Sequence, residues 1–529
     1  MSFHSWLYLP CFLGMAVLLY YCFPLKYRFL PLLLSSMAFY VLCSRKLIVF
    51  LAVTIVSVYA AARILDTFNE EFREKKKGLA KEERKQLKKQ VERKKKAVLY
   101  LAVLLNFGIL FVLKYGNFLG ENINQALKAL HVGGRIPVFQ FLLPLGISFY
   151  TLQAAGYLLD VSRGKYRADK NFARVALFLS FFPQMVEGPI ARYDETGHQV
   201  YEGHRFDYET FTSGLQLILW GLVKKVVLAD RANMFVNTIF KQYEQYSGIY
   251  IVAAAVLYTF QIYTEFSGCM DIVRGSALLF GIQLPENFRQ PFAAKTINEF
   301  WQRWHMTLGG WLRDYVFYAV SFCGWYQKFS KNCREKWPKF FGGWISAVGA
   351  LFFVWFGMGL WHGASWKYVL YGMYYFALIS IGMLLAPLGE KGMQRAGISP
   401  KSAGVQIVGK VRTTALVCVG MLFFRAESFT AGLSMLKSVF RDFSLQPLLE
   451  GKLLGLGCDG YDFAILGIGF VVVSLVGAWK ERNINVREKI SGFPLPFRWG
   501  VFYAGLFCVI LFGAYGFGYN AADFIYAQF

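Results

Sequence analysis

GGWISAVGALFFVWFGMGLWHGASWKYVLYGMYYFALISIGMLLA, residues 342 to 386, holds two apolar runs of membrane-spanning length, 342–361 and 366–386, joined by a short turn that carries His362. An α-helix rises about 1.5 Å per residue, so about 20 apolar residues match a hydrocarbon layer roughly 30 Å thick. Hydrocarbon does not solvate an ionisable side chain. By default such a group marks an internal cavity, a pathway or a site.

The composition extends this reading to the whole chain. Of 529 residues, 56% are hydrophobic, 18% aromatic and 17% charged, and the mean hydropathy is +0.38. Soluble domains carry about 25% charged residues, so a soluble protein is excluded and an all-α, polytopic membrane protein is expected. Further runs of spanning length lie near 3–23, 29–44, 47–65, 98–119, 138–159, 211–229, 249–267, 411–424, 462–479 and 498–518, with broken ones near 173–191 and 311–323. That predicts 11 to 14 membrane helices with re-entrant and amphipathic segments. The N-terminus, MSFHSWLYLPCFLGMAVLLYYCF, lacks a basic leader and a small-residue cleavage site, so it reads as an uncleaved first span. The nine cysteines are scattered and read as small buried hydrophobes.

A net charge of +24 would suggest nucleic acid in a soluble protein, but here its distribution sets topology. Residues 66–97 hold 13 Lys/Arg against 7 Asp/Glu and predict a polar helical hairpin on the cytoplasmic face, where basic loops are retained and anionic lipids attract them. Starting outside, the spans place Lys26 and Arg28 inside, then the hairpin, then the basic cluster at 161–174; Arg45 and Lys46 are the exception. The lipid bilayer is the expected partner and nucleic acid is not. The N-terminus is expected to be extracytoplasmic.

Two stretches depart from simple spans. ARVALFLSFFPQMVEGPIARY, 173–193, carries Pro183, Glu187, Gly188 and Pro189 inside apolar sequence, which predicts a re-entrant segment beside a cavity. The block Gly268–Leu312 reads as amphipathic and too polar to span as one helix.

Of six histidines, His4, His131, His198 and His204 lie at the N-terminus or in polar loops. His305, in NEFWQRWHMTLGGWLRDY, is predicted on a helical face with Trp301, Leu308 and Leu312. From the residues alone, His305 and His362 read equally as hydrogen-bonded structural groups or as general bases, since an imidazole near pKa 6.5 suits removal of a proton from an attacking alcohol. No nucleophile elbow surrounds Ser365. Two histidines with Asp314 or Glu299 lack the close spacing of a zinc site, and no metal is expected. GLGCDG at 455–460 has no strand–helix unit around it and is not a dinucleotide motif.

Taken together, PLGISFYTLQAAGYLLDVSRG (144–164), LSFFPQMVEGPIARY (179–193), YTEFSGCMDIVRGSALLFGIQLPENFRQPF (263–292), NEFWQRWHMTLGGWLRDYVF (298–317), WFGMGLWHGASWKYVLYG (355–372) and MLFFRAESFTAGLSML (421–436) resemble, in order, the landmarks of the bacterial membrane-bound O-acyltransferases. The resemblance covers about residues 100–440. It implies a helical core around a central tunnel and transfer of an acyl group from a cytoplasmic thioester, acetyl-CoA or an acyl carrier, to a hydroxyl, with no bound cofactor. It also implies that His362 is catalytic and His305 its partner, while Trp304, Trp361, Asn298, Gln184, Glu187, Pro189 and Ser365 shape the tunnel or bind substrate. Gly357, Gly359 and Gly363 are expected to let backbone or a thin substrate arm come close.

Within that branch the sequence is more similar to the alginate O-acetyltransferase type, acting on an exported polysaccharide directly or through an SGNH-type partner. The teichoic acid D-alanylation type, fed by a carrier protein, is the alternative. A transporter or flippase with histidines as a proton relay is the rival from another class. The implied organisation is N-terminal spans and hairpin at 1–97, a catalytic core at 98–440 and C-terminal spans at 441–529, in the bacterial plasma membrane.

Overall fold

The computed structural model describes Phe3, Ser5, residues 7–139 and residues 141–515. His4, and the last residues of the run 498–518 and of the region 441–529, lie outside the described residues. No strand occurs among the described residues; the backbone is helical apart from connecting segments and one isolated antiparallel bridge, Phe288 to Trp304. Nine helical stretches among the described residues are long and apolar enough to cross a membrane. One of them, Leu25–Lys75, contains two of the predicted runs, and Leu7–Cys22 is a shorter apolar helix. The chain divides into two compact units.

The first unit comprises Met1–Leu215 and Val273–Pro285. Its helices are α1 (Gly14–Cys22), α2 (Phe29–Ser44), α3 (Ile48–Lys75), α4 (Lys81–Ala129), α5 (Ile147–Arg163) and α6 (Phe172–Ser180). The basic hairpin is the end of α3 and the start of α4, turned at Gly78 with φ 86°, a left-handed value that glycine tolerates. The predicted run 138–159 begins as non-helical chain and becomes helical only after Gly146, so α5 is too short to count among the nine spans. Instead α5 is buried along almost its whole length, and Tyr150, Tyr157 and Leu158 join Leu51, Ile55, Val58 and Leu65 of α3 in one core.

The broken segment after α6 is a single helical turn, Phe182–Met185, followed by a turn at Val186–Glu187 and non-helical chain, and every residue from Phe181 to Ile190 is buried. Irregular backbone is tolerated at membrane depth where protein covers it. Gln184 Nε2 donates to the Phe178 carbonyl at 3.0 Å, and Glu187 and Pro189 are buried beside it in sequence.

The second unit comprises Gln216–Ile272 and Glu286–Phe529. The two units share α7 (Tyr208–Leu222) and α8 (Ile249–Leu278); the second unit continues with α9 (Ile297–Arg303), α10 (Met306–Leu312), α11 (Lys339–His362), α12 (Trp366–Arg395), α13 (Ala403–Arg425), α14 (Gly460–Glu481) and α15 (Leu495–Phe512). The expected end of a span near 267 is a correction: α8 runs on to Leu278 and carries Glu265 and Asp271 inside it. Buried lysines on the π-helical turn Val223–Ala229 make this tolerable. Lys225 Nζ lies 2.6 Å from Asp230 and 3.1 Å from Glu265, and Lys224 Nζ lies 2.6 Å from Asp271 and 3.0 Å from Ser267 Oγ. Glycines permit the approach, since a Cβ on Gly268 would stand 2.8 Å from the Gly221 carbonyl oxygen. The GLGCDG stretch leads into α14, whose first turn Asp459 caps by accepting from the Asp462 amide at 2.9 Å.

Candidate active site

His362 is the last residue of α11 and is buried. It stays there because α11 and α12 cross closely at glycines. A Cβ on Gly359 would stand 2.6 Å from the Tyr368 carbonyl oxygen, and one on Gly363 would stand 2.6 Å from the Tyr368 ring. Gly357, expected to play the same part, has open space around its Cα. Ser365 is half-buried at the N-terminal cap of α12, where its carbonyl accepts from the Tyr368 amide at 3.1 Å. The His362 ring meets Tyr371 at 5.8 Å and Phe424 at 5.3 Å, both edge-on. Aromatic walls of this kind exclude water and fix the ring by its edges.

His305 departs from the predicted helical face. Helix α9 ends at Arg303, Trp304 is extended, and His305 adopts φ 47° and ψ 53° before α10 begins. The cause is tertiary pairing with residues 287–289. The Arg289 amide donates to the Arg303 carbonyl at 2.9 Å and the Met306 amide donates to the Asn287 carbonyl at 3.0 Å, replacing the helical bonds a continuous 298–317 helix would make. A left-handed non-glycine residue is unfavourable by about 1 kcal/mol or more and persists where its surroundings over-determine it.

The side chain is as constrained as the backbone. His305 is 1% exposed, Nδ1 lies 3.1 Å from Asn287 Oδ1, and Nε2 has no hydrogen-bond partner among the described residues. Its ring packs edge-on against Phe266 at 4.9 Å and Trp361 at 5.5 Å. Burial pushes the imidazole well down, to about 3, so it is neutral at ordinary pH. Helix α8 supports it from behind. The side of α8 that carries Glu265, Gly268 and Asp271 meets the lysine-bearing turn, while Tyr263, Phe266 and Met270 on the opposite side meet Trp304, His305 and Asn287.

Trp361 joins the two histidines: its indole is 5.5 Å from His305 and 5.1 Å from His362. Trp304 is fully buried, stacked on Phe300 at 5.4 Å. Trp301 forms a neighbouring aromatic cluster with Trp355 at 5.1 Å and Tyr375 at 4.8 Å. Asn298 is exposed on α9, apart from this buried group. Gln184, Glu187 and Pro189 belong to the first unit. Sequence reasoning did not single out Asn287, Phe266 or the two lysines. The lysines had a legible signal, since Lys224 and Lys225 stand in an apolar run and Glu265 interrupts the next. Among the described residues no three His, Cys, Asp or Glu side chains gather as a metal site requires.

Chemically, the cluster offers two imidazoles in a largely apolar, aromatic enclosure, one of them held neutral. Such a site can accept a proton or a hydrogen bond from a hydroxyl while limiting competing hydrolysis.

Comparison with known proteins adds one family match and three relatives. Residues 163–392 match the model of the membrane-bound O-acyltransferase family. The chain is 30% identical over 489 residues, 92% of this chain and 82% of the relative, to the protein named "Probable alginate O-acetylase AlgI" of Pseudomonas syringae pv. tomato. It is 28% identical to the "Peptidoglycan O-acetyltransferase" of Helicobacter pylori, over 65% of each chain, and 28% identical to the "Teichoic acid D-alanyltransferase" of Bacillus subtilis, over 54% of this chain and 69% of that one.

Proposed function

The chain belongs to the membrane-bound O-acyltransferase family and is a multi-pass acyltransferase, and we propose that it passes an acetyl group from a cytoplasmic thioester donor to hydroxyls of an exported polysaccharide. The donor in this reading is acetyl-CoA or an acyl carrier. Transfer proceeds directly or through an extracytoplasmic partner of the SGNH-hydrolase type. The reading places the protein in the bacterial plasma membrane with the N-terminus outside, the 66–97 hairpin in the cytoplasm and the catalytic core within 98–440.

The observation that carries it is the packing of His305 and His362 on one indole, Trp361. His362 acts as general base. It takes the proton of the acceptor hydroxyl as the oxygen attacks the thioester carbon; the C–S bond breaks and the proton passes to the leaving thiolate, so none is gained or lost overall. His305 positions the reacting groups. Trp304, Trp361 and Ser365 wall the tunnel, and within the first unit Gln184, Glu187 and Pro189 are the substrate-binding candidates. The aromatic enclosure of His362 by Tyr371 and Phe424 supports a water-poor site, which protects a thioester from hydrolysis.

D-alanyl transfer from a carrier protein is the second reading, favoured by the similarity to the Bacillus subtilis protein and by the basic 66–97 hairpin as a surface for an acidic carrier. The test is acyl transfer from labelled acetyl-CoA by purified protein in detergent. Wild type is expected to turn the donor over and His362→Ala, inserted normally, to lose activity by orders of magnitude. Substrate movement without acyl turnover would replace this reading with transport, and turnover of a carrier-bound alanyl thioester alone would favour the second.

A further inference from the structure

Asn287 is buried at 2% exposure, between α8 and the His305 turn, and both polar atoms of its side chain are committed. Its Oδ1 accepts from the Thr307 backbone amide at 3.1 Å and from Thr307 Oγ1 at 2.9 Å, and its Nδ2 donates to Met270 Sδ at 3.4 Å. The backbone amide can only donate, so the oxygen faces Thr307; reversing the side-chain amide would set two donors against each other and place the oxygen against the thioether sulfur. The same Oδ1 lies 3.1 Å from His305 Nδ1. A carbonyl oxygen cannot donate, and two lone pairs facing each other at that distance would repel. His305 Nδ1 therefore carries the hydrogen, and in the neutral ring Nε2 carries a bare lone pair.

We propose that Asn287 is a positioning residue that holds His305 in its Nδ1–H tautomer and thereby presents Nε2 as a hydrogen-bond acceptor for a hydroxyl of the acceptor sugar next to the one that reacts. The proposal rests on the acyl-transfer reading and sharpens it. A neutral Nε2 without hydrogen cannot polarise the thioester carbonyl, which needs a donor, so His305 binds a neighbouring hydroxyl of the acceptor and orients the sugar, leaving the reacting hydrogen to His362. Both ends of this arrangement are braced. Phe266 and Met270 hold the ring and the amide from α8, and the Met306 amide bonded to the Asn287 carbonyl at 3.0 Å fixes the two segments in register. Charged groups on the neighbouring helices are engaged elsewhere: Glu265 and Asp271 of α8 with Lys225 and Lys224, Glu299 and Arg303 of α9 with each other at 2.9 Å, and Arg313 after α10 with Asp314 at 2.9 Å, while Glu286 and Arg289 on either side of Asn287 in sequence are exposed. None of these pairs competes for the imidazole.

The test reads the resting protein. Nitrogen-15 NMR of histidine-labelled full-length protein in detergent, with the His305 signals assigned by their loss in His305→Gln, is expected to show a protonated Nδ1 and an unprotonated Nε2 near neutral pH. An Nε2–H tautomer or an imidazolium would overturn the proposal. Asn287→Asp keeps an acceptor at Nδ1 and should keep the tautomer while moving the acid limb of the pH–rate profile to higher pH, because a carboxylate steadies the imidazolium. Asn287→Ala should mix the tautomers and lower kcat about tenfold or more with little change in donor KM; an unmixed tautomer in that variant would also overturn it. The spectrum needs no substrate, so a failure of acyl transfer and a failure of this assignment are told apart.

Discussion

The indole of Trp361 stands edge-on to the imidazole of His305, ring centroids 5.5 Å apart and planes inclined at 67°, and through the chain it is joined to His362. One side chain thus sets the spacing of two candidate functional groups. Trp361→Ala should lower kcat about 100-fold, the size of effect that a displacement of about 1 Å can produce. Trp361→Phe should recover most of it. Because the indole is only half-buried, the melting temperature in detergent should move little in either variant. A parallel loss of stability and activity would make Trp361 an ordinary core residue.

The crossing of α11 and α12 gives a second expectation. A Cβ on Gly372 would stand 3.1 Å from the Gly359 Cα and press on the Trp355 carbonyl oxygen, both backbone positions that cannot yield easily. Gly372→Ala should cost about 1–3 kcal/mol and also reduce activity, since His362 ends the displaced helix. Gly357→Ala meets open space and should be neutral or slightly stabilising, because alanine favours helix by up to about 1 kcal/mol over glycine. Thermal unfolding of the two variants side by side decides the matter.

Run length and charge placement make the helices and the basic hairpin legible in the sequence, because both are local properties. His362 is legible for the same reason, as an ionisable group at the end of an apolar run. His305 is legible as a residue but its setting is not. Periodicity places it on a face with Trp301 and Leu308, whereas the backbone breaks at Trp304 through pairing with Phe288, a tertiary event that no i, i+4 pattern records. Asn287 is silent for a related reason: its partners His305, Thr307 and Met270 meet it only in the fold. The extension of α8 past Gly268 is hidden because Asp271 looks too polar to span until Lys224 is seen beside it.

Those lysines carry a stability prediction. Lys225→Met would leave Asp230 and Glu265 facing each other without their shared cation, and breaking a buried pair from one side costs about 3–5 kcal/mol. The combined variant Lys225→Met, Asp230→Asn, Glu265→Gln removes all three charges and should lie much closer to wild type. Unfolding measurements on the single and combined variants check this. Simple addition of the separate losses would mean that the three groups do not act as a network.

Acidification should expose the burial of His305, which sits on a turn outside the spanning helices. Its folded value is pushed down to about 3 by desolvation, from an ordinary 6.5. Above about pH 6.5 the ring is neutral in both folded and unfolded protein and contributes nothing to the pH dependence. Below that point the unfolded chain takes up a proton that the folded chain refuses, so stability falls, by about 1 kcal/mol one pH unit lower and at a limiting slope of about 1.4 kcal/mol per unit. His305→Gln lacks this penalty. Between pH 7.5 and pH 5 the wild type should therefore lose about 2 kcal/mol relative to the variant, read as the changing difference in their unfolding midpoints. A difference that stays constant with pH would mean that the folded protein protonates this imidazole as readily as water does.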